Sequence, residues 1–267
     1  MSHDSVTEGA KLIQSVRSTH NFVGDGALDV PQTNFVRQIE IPPMKGENMI
    51  TFDQIKSNYE INTYIQKGND VLGVMGYTDH GFAHATLCAN KASDILEFLG
   101  YDERTVELAR IAGYMHDIGN CVNRKDHAQS GALIAHDLLI RIGMDIEEIA
   151  DVICAIGHHD EGTGGPVSPI SAALILADKS DVRRSRVRQK NMSEYDIHDR
   201  VNYAVYTSGL TLDRDSMSVT LELSIDTSIS PVMNYFEIFL SRMLMCRKAA
   251  EYLGLNFALN INNTRLL

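Results

Sequence analysis

Ile111-Ala112-Gly113-Tyr114-Met115-His116-Asp117-Ile118-Gly119 decides how this chain is read. Five apolar or small residues lead into a histidine and an aspartate, and two more follow. Two such groups at the end of a buried helix are expensive to desolvate unless something pairs with them. A divalent metal is the usual partner, because imidazole nitrogen and carboxylate oxygen are both good ligands for it. His80 and His84 lie upstream, and His127, His158, His159 and Asp178 lie downstream.

The spacing around that pair is helical. His80 and His84, at i and i+4, share a face if both sit on one helix. Asp178 and Asp181 are about one turn apart. An ion held by His84, His116, Asp117 and Asp178 keeps open positions for water, which is acidified toward a nucleophile near neutral pH. A second ion shares Asp117 as a bridge and takes His127 with His158 or His159. Adjacent helical residues diverge by about 100°, so one of that pair points away unless both lie at a helix end. His80 is either a surface residue beside a helix start or a proton donor. Asp181 either orients a histidine ligand or is a plain helix charge. His20, His136 and His198 lack partners at useful spacing and read as surface or structural.

Outward from this centre, residues 51 to about 195 carry apolar positions at helical spacing, as in Ala92, Ile95, Leu96 and Leu99. Thr51-Phe52-Asp53-Gln54 has the form of a capping box. Gly100, Gly143 and Gly162 stand where helices are expected to stop. Short connections imply an antiparallel bundle. After 196 the period changes: Val201, Tyr203 and Val205 alternate with polar residues, as do Val219, Leu221 and Leu223, predicting a hairpin turned at Asp213-Arg214-Asp215. Pro231 opens a long helix to about Leu253, and Asn256 to Ile261 reads as a last strand. The expected organisation is an accessory arm over 1–47 with a short strand near 34–41, a mainly α helical domain over 48–195, and a small α+β unit over 196–267. Met233, Met243 and Met245 read as core or dimer packing.

The bulk numbers narrow the classes. The 267 residues are 44% hydrophobic and 22% charged with a net charge of -11, which disfavours nucleic acid as a partner. The run Ala172 to Ala177 is far short of the roughly 20 residues that span a bilayer, so no membrane is expected. The N-terminus, with Asp4 and Glu8, has no apolar leader. Four cysteines without a CxxC fit reduced thiols and a cytoplasmic location. One basic run, Lys179, Arg183, Arg184, Arg186, Arg188 and Lys190, begins beside Asp178. It is either a solvated face or a place where Lys179, Arg183 or Arg184 meets an anionic substrate.

The ordered set of His84, His116-Asp117 and Asp178, with Ala-Gly-Tyr-Met-His-Asp-Ile-Gly around the pair and Leu-Ala-Asp-Lys-Ser-Asp at its end, resembles the HD-domain metal-dependent phosphohydrolases over roughly residues 50 to 190. The resemblance implies an HD-domain helical bundle in which those four residues bind metal. Asp126-His127-Ala128-x-x-Gly131-Ala132, Ala155-Ile156-Gly157-His158-His159-Asp160 and Ile175-Leu176-Ala177-Asp178 are similar to the HD-type diadenosine tetraphosphate hydrolases. Those carry a two-metal site whose extra histidines correspond to His127 and His159. His158-His159-Asp160 also resembles the His-His-Glu of HD-GYP cyclic-di-GMP phosphodiesterases. Here Gly164-Gly165-Pro166 replaces their Gly-Tyr-Pro, and Asn120 stands in place of their lysine. His80-x-x-x-His84 is similar to the start of cyclic-nucleotide phosphodiesterase sites, where the earlier histidine protonates the leaving oxygen.

The expectation is therefore a hydrolase of a phosphoester or phosphoanhydride bond, in a nucleotide or other phosphorylated small molecule. It would use two divalent ions, iron or manganese first, with magnesium, nickel or zinc as alternatives. Catalytic roles fall to His80, Asp117 and Lys179, and a homodimer is expected. Two rivals use the same ligands: a mixed-valent di-iron oxygenase, and a non-catalytic module that senses a nucleotide or a metal. Glu161 to Pro166 reads as a phosphate cradle, a lid or a connector.

Overall fold

The Thr51 hydroxyl accepts from the Gln54 amide, and the Gln54 side chain accepts from the Thr51 amide, so the expected capping box opens helix α1 (Phe52–Ser57). The computed structural model describes residues 49–189 and 191–267; the arm over 1–47 and its short strand lie outside them. Asn58 caps α2 (Tyr59–Val74). Helix α3 (Phe82–Leu99) stops at Gly100, whose φ of 81° is open to glycine at little cost. Asp102 caps α4 (Glu103–Met115), and α5 (His127–Arg141) follows after a turn of 3-10 helix over Ile118–Cys121. Asp145 caps α6 (Ile146–Gly157). Ser168, with Pro169 in the first turn, opens α7 (Pro169–Lys179).

Helix α7 is the centre of the bundle. Every residue from Ile170 to Ala177 is buried, as a stretch apolar on every side requires, and Ser171, its one polar member, donates to the Ser168 carbonyl. Helices α3, α4, α6 and α9 (Val232–Tyr252) all pack against it. Close approach of α4 to α3 depends on Gly113: a Cβ there would stand 2.8 Å from the Ala89 backbone.

Two boundaries differ from expectation. The first strand does not begin near Val201, because 197–204 form α8 (Ile197–Ala204), capped by Asp196. Val201, Ala204 and Val205 are buried together, a spacing that suits a helix face as well as the alternation of a strand. Nor does a helix stop at Gly162; α6 ends at Gly157, and Gly162 lies in the following loop.

The C-terminal part is a four-stranded sheet in the order β1 (Val205–Asp213), β2 (Ser218–Ile225), β3 (Asn256–Ile261), β4 (Thr264–Arg265). β1 pairs with β2 antiparallel as the hairpin predicts, and β3 pairs with β2 in parallel. A parallel pair needs a crossover, and α9 supplies it. Met243 and Met245 of α9 are core residues, whereas Met233 lies at the surface. All the described residues fall in one compact unit, mainly α with this small α+β part. Among them, no helix is long and apolar enough to cross a membrane.

Candidate metal centre

Six elements deliver side chains to one point. His84 sits in the first turn of α3 and His116 caps the end of α4. Asp117 opens the 3-10 turn, His127 begins α5, His159 lies just beyond α6, and Asp178 is in the last turn of α7. Glycine sets the distances. A Cβ on Gly119 would come within 2.0 Å of the His127 carbonyl oxygen, so only glycine lets the turn bearing Asp117 lie against α5.

Within this cluster, His84 Nε2 is 3.3 Å from Asp178 Oδ1 and 3.6 Å from Asp117 Oδ2. His116 Nε2 is 3.1 Å from Asp117 Oδ2 and 3.7 Å from Asp178 Oδ1. The other oxygen of Asp117 turns the opposite way, to 3.5 Å from His127 Nε2, and accepts at 2.8 Å from the Asn120 amide. His127 Nε2 and His159 Nε2 are 3.1 Å apart. One carboxylate thus reaches two groups of imidazoles.

The far nitrogen of each ring explains why these groups converge. Nδ1 of His116, His127 and His159 donates to the carbonyl oxygens of Gly113, Arg124 and Ile156 at 2.8, 3.0 and 2.6 Å. Nδ1 of His84 donates to Asp181 at 2.8 Å. Acceptors that only accept fix a proton on Nδ1 and turn Nε2 inward; that of His127 also lies 3.3 Å from Arg124 Nη1. The His127 and His159 Nε2 atoms then face each other, and buried His116 Nε2 and Asp117 Oδ2 have no hydrogen-bond partner. Imidazole nitrogens and two carboxylates packed this closely call for a cation among them. The donor set of imidazole and carboxylate fits a divalent metal. Cys88 also adjoins the cluster: its Sγ is 3.6 Å from both nitrogens of His84 and lies within 4.8 Å of the donor atoms of His116 and Asp178, with burial pushing its thiol well up.

Protonation fits the same picture. Burial holds His127 and His159 below the ordinary imidazole range, helped by Arg124 in the first case and His116 and Lys179 in the second. Burial pushes the Asp117 and Asp178 carboxyls up, but facing His116, and Lys179 at Asp178, overcome it and keep both ionised. Burial also opposes charge on His116, yet the two carboxylates beside it raise its pKa to about 10.

Several expected site residues are elsewhere. His158 turns its Nδ1 to the Cys154 carbonyl at 2.9 Å and leaves the cluster to His159. His80 is not on a helix with His84, because Gly81 caps α3 after it. Its Nδ1 contacts the Thr78 carbonyl at 2.7 Å, and its ring still stands 5.5 Å from that of His84. Lys179 is buried between Asp178 (2.8 Å) and Glu161 (2.7 Å), ion-paired on both sides where the expectation had it facing substrate. Arg183 is bound to Asp181, and Arg184 is stacked on Tyr203 and Tyr206. Arg186 of the basic run, which was given no substrate role, stands with two cations that the expectation missed, Arg124 and Arg242. With Tyr77, His80 and Asn202 they line a cleft of about 350 Å³ beside the cluster.

A family model for the HD domain matches residues 81–191, which span His84, His116, Asp117, His127, His159 and Asp178. An uncharacterised protein of Methanocaldococcus jannaschii is 30% identical over 182 residues, covering 60% of this chain and 70% of its own. Ribonuclease Y of Cutibacterium acnes is 30% identical over 112 residues, 42% of this chain but only 19% of that enzyme. Among solved structures, a predicted HD superfamily hydrolase from an uncultured Thermotogales bacterium aligns over 73% of this chain and 86% of its own, at 22% identity and a TM-score of 0.37.

Proposed function

Because this chain belongs to the HD-domain metal-dependent phosphohydrolase superfamily, we propose that it hydrolyses a phosphoester or phosphoanhydride bond in a small phosphorylated molecule, a nucleotide first among them. The observation that carries this reading is the ring of inward-facing imidazole nitrogens around the unpartnered His116 Nε2 and Asp117 Oδ2. His84, His116, Asp178 and one oxygen of Asp117 would hold one ion. The other oxygen of Asp117, with His127 and His159, would hold a second, iron or manganese suiting the nitrogen and oxygen donors. Bound divalent ions supply an acidified water and neutralise phosphoryl charge.

The protein's own groups do the rest. Asp181 fixes the His84 ring, and Lys179 holds Asp178 ionised and in place. Arg124, Arg186 and Arg242 line the cleft where non-bridging phosphate oxygens would sit. Burial and Arg186 keep His80 neutral, with its proton on Nδ1 toward Thr78. The negative charge of an arriving substrate favours its imidazolium, which then gives a proton to the leaving oxygen.

The test is elemental analysis of protein purified without added metal, followed by phosphate-release assays on nucleotides. About two ions per chain and metal-dependent release are expected, with both lost in Asp117→Ala. A variant that retained turnover would sink the proposal, and oxygen consumption without phosphate release would transfer the site to oxygenase chemistry.

A further inference from the structure

The residues that would hold metal all lie inside 81–191, but the cleft beside them does not. One wall comes from α8 and α9. Arg242, on α9, donates through Nε to Glu161 at 2.9 Å and stacks on Phe239, its carbon centre 4.8 Å from the ring centroid. Among the described residues its two terminal nitrogens have no partner, and the side chain lines the cleft. Arg186 is similar. It is 6% exposed, held by the carbonyls of Asp79 and Asp181, and its remaining nitrogen has no partner among the described residues. Arg124 stands 3.3 Å from His127 Nε2 and 3.7 Å from Asp117 Oδ1.

We infer that Arg242, with Arg124 and Arg186, forms a cradle for a terminal phosphoryl group, so that the substrate is a compact phosphomonoester. The inference rests on the phosphohydrolase reading and narrows it. A terminal phosphoryl group offers three non-bridging oxygens and a charge approaching -2 near neutral pH, whereas an internal diester offers two and -1. Three guanidinium groups line one cleft and match the former in number; Asp196 and Asp199 on the α8 side of the same cleft leave the net charge positive. Each is tied down on one side, so little side-chain entropy is lost when the free side takes an oxygen. The α8 and α9 wall bounds the space to about 350 Å³, at the small end of ligand pockets, which suits a small molecule and disfavours a continuous polymer strand.

The probes are inorganic phosphate, for binding to the manganese-loaded full chain by calorimetry, and p-nitrophenyl phosphate against bis(p-nitrophenyl) phosphate, for turnover. Arg242→Gln should weaken phosphate about 10- to 100-fold, the range of a charge-assisted hydrogen bond, with metal content unchanged. KM for the monoester should rise more than kcat falls. Glu161→Gln removes the carboxylate that competes for Arg242 and should leave phosphate binding equal or tighter. Unchanged phosphate binding in Arg242→Gln overturns the cradle. Equal loss in Glu161→Gln also overturns it, reducing Arg242 to a prop for Glu161. A wild-type preference for the diester overturns the substrate class. Metal and phosphate bound with neither ester cleaved would instead count against the hydrolase reading and leave the cradle standing.

Discussion

At the scale of the residue, the centre works by fixing protons. Asp181 is the clearest case: it accepts from His84 and is itself braced by Arg183 and Arg186. Burial pushes its carboxyl up, yet the His84 hydrogen bond and these two guanidinium groups hold it well below the usual carboxylate range. Asp181→Asn should therefore weaken metal binding about 10- to 100-fold, as loss of a ligand's supporting partner does. Metal retained after dialysis against graded chelator measures this, and full retention would count against the role. His80 is separable from the ligands. His80→Asn should cost about 10²-fold or more in kcat for a substrate with a poorly stabilised leaving oxygen. It should cost little for p-nitrophenyl phosphate, whose leaving group needs no proton, and an equal loss on both would refute proton donation. The clustered residues were named in the sequence through the ordered set of His84, His116-Asp117 and Asp178 and the resemblance it carries; helical spacing did not serve, since His80 and His84 fall on either side of a helix start. The cations were not. Lys179 adjoins Asp178 in sequence, but Glu161, far away in the chain, closes over it, and Arg242 reaches the cleft from a helix with no local mark of a site.

At the scale of the element, the bundle positions the centre through close contacts where a glycine is required. Gly119→Ala would place a methyl group 2.0 Å from the His127 carbonyl and 2.5 Å from the Gly131 amide. Backbone on both sides cannot yield as a flexible side chain would. The substitution should destabilise the protein by about 1–3 kcal/mol or more and loosen Asp117 from His127. A lowered thermal midpoint with reduced metal content is the expected pair of results, and a wild-type midpoint would contradict it. Helix existence was readable from caps and periodicity, as Thr51, Ser168 and Gly100 illustrate. The misread stretch, 197–204, is short, and its apolar residues satisfy both a two-residue and a four-residue repeat. Its Asp196 cap, accepting from the Asp199 amide, is the local signal that decides for helix. The pair His158-His159 lies where α6 ends, and there periodicity no longer says which ring turns inward.

At the scale of the whole molecule, a chain of charges joins the helical bundle to the C-terminal part: Asp178, Lys179, Glu161 and Arg242 in sequence of contact. Burial pushes the Glu161 carboxyl up, but Lys179 and Arg242 overcome it and hold it far below the ordinary range. Its contribution to stability is complete above the unfolded-state value of about 4.3 and is lost as pH falls below that. The urea midpoint of the wild type should drop between pH 5 and pH 3, and that of Glu161→Gln should drop less. Parallel curves would show that the pair is not linked to folding. No periodicity in the sequence announces this long-range pairing, because its members lie on a loop and two separate helices.

The order of the parts along the chain has a consequence for synthesis. Every residue of the imidazole and carboxylate cluster is encoded between His84 and Asp178, and the Arg242 wall is encoded well after them. Translation proceeds from the N-terminus, and early segments begin to fold first. The nascent protein therefore passes through an interval in which every side chain of the cluster has been made but α9, which packs against α7 and carries Arg242, has not.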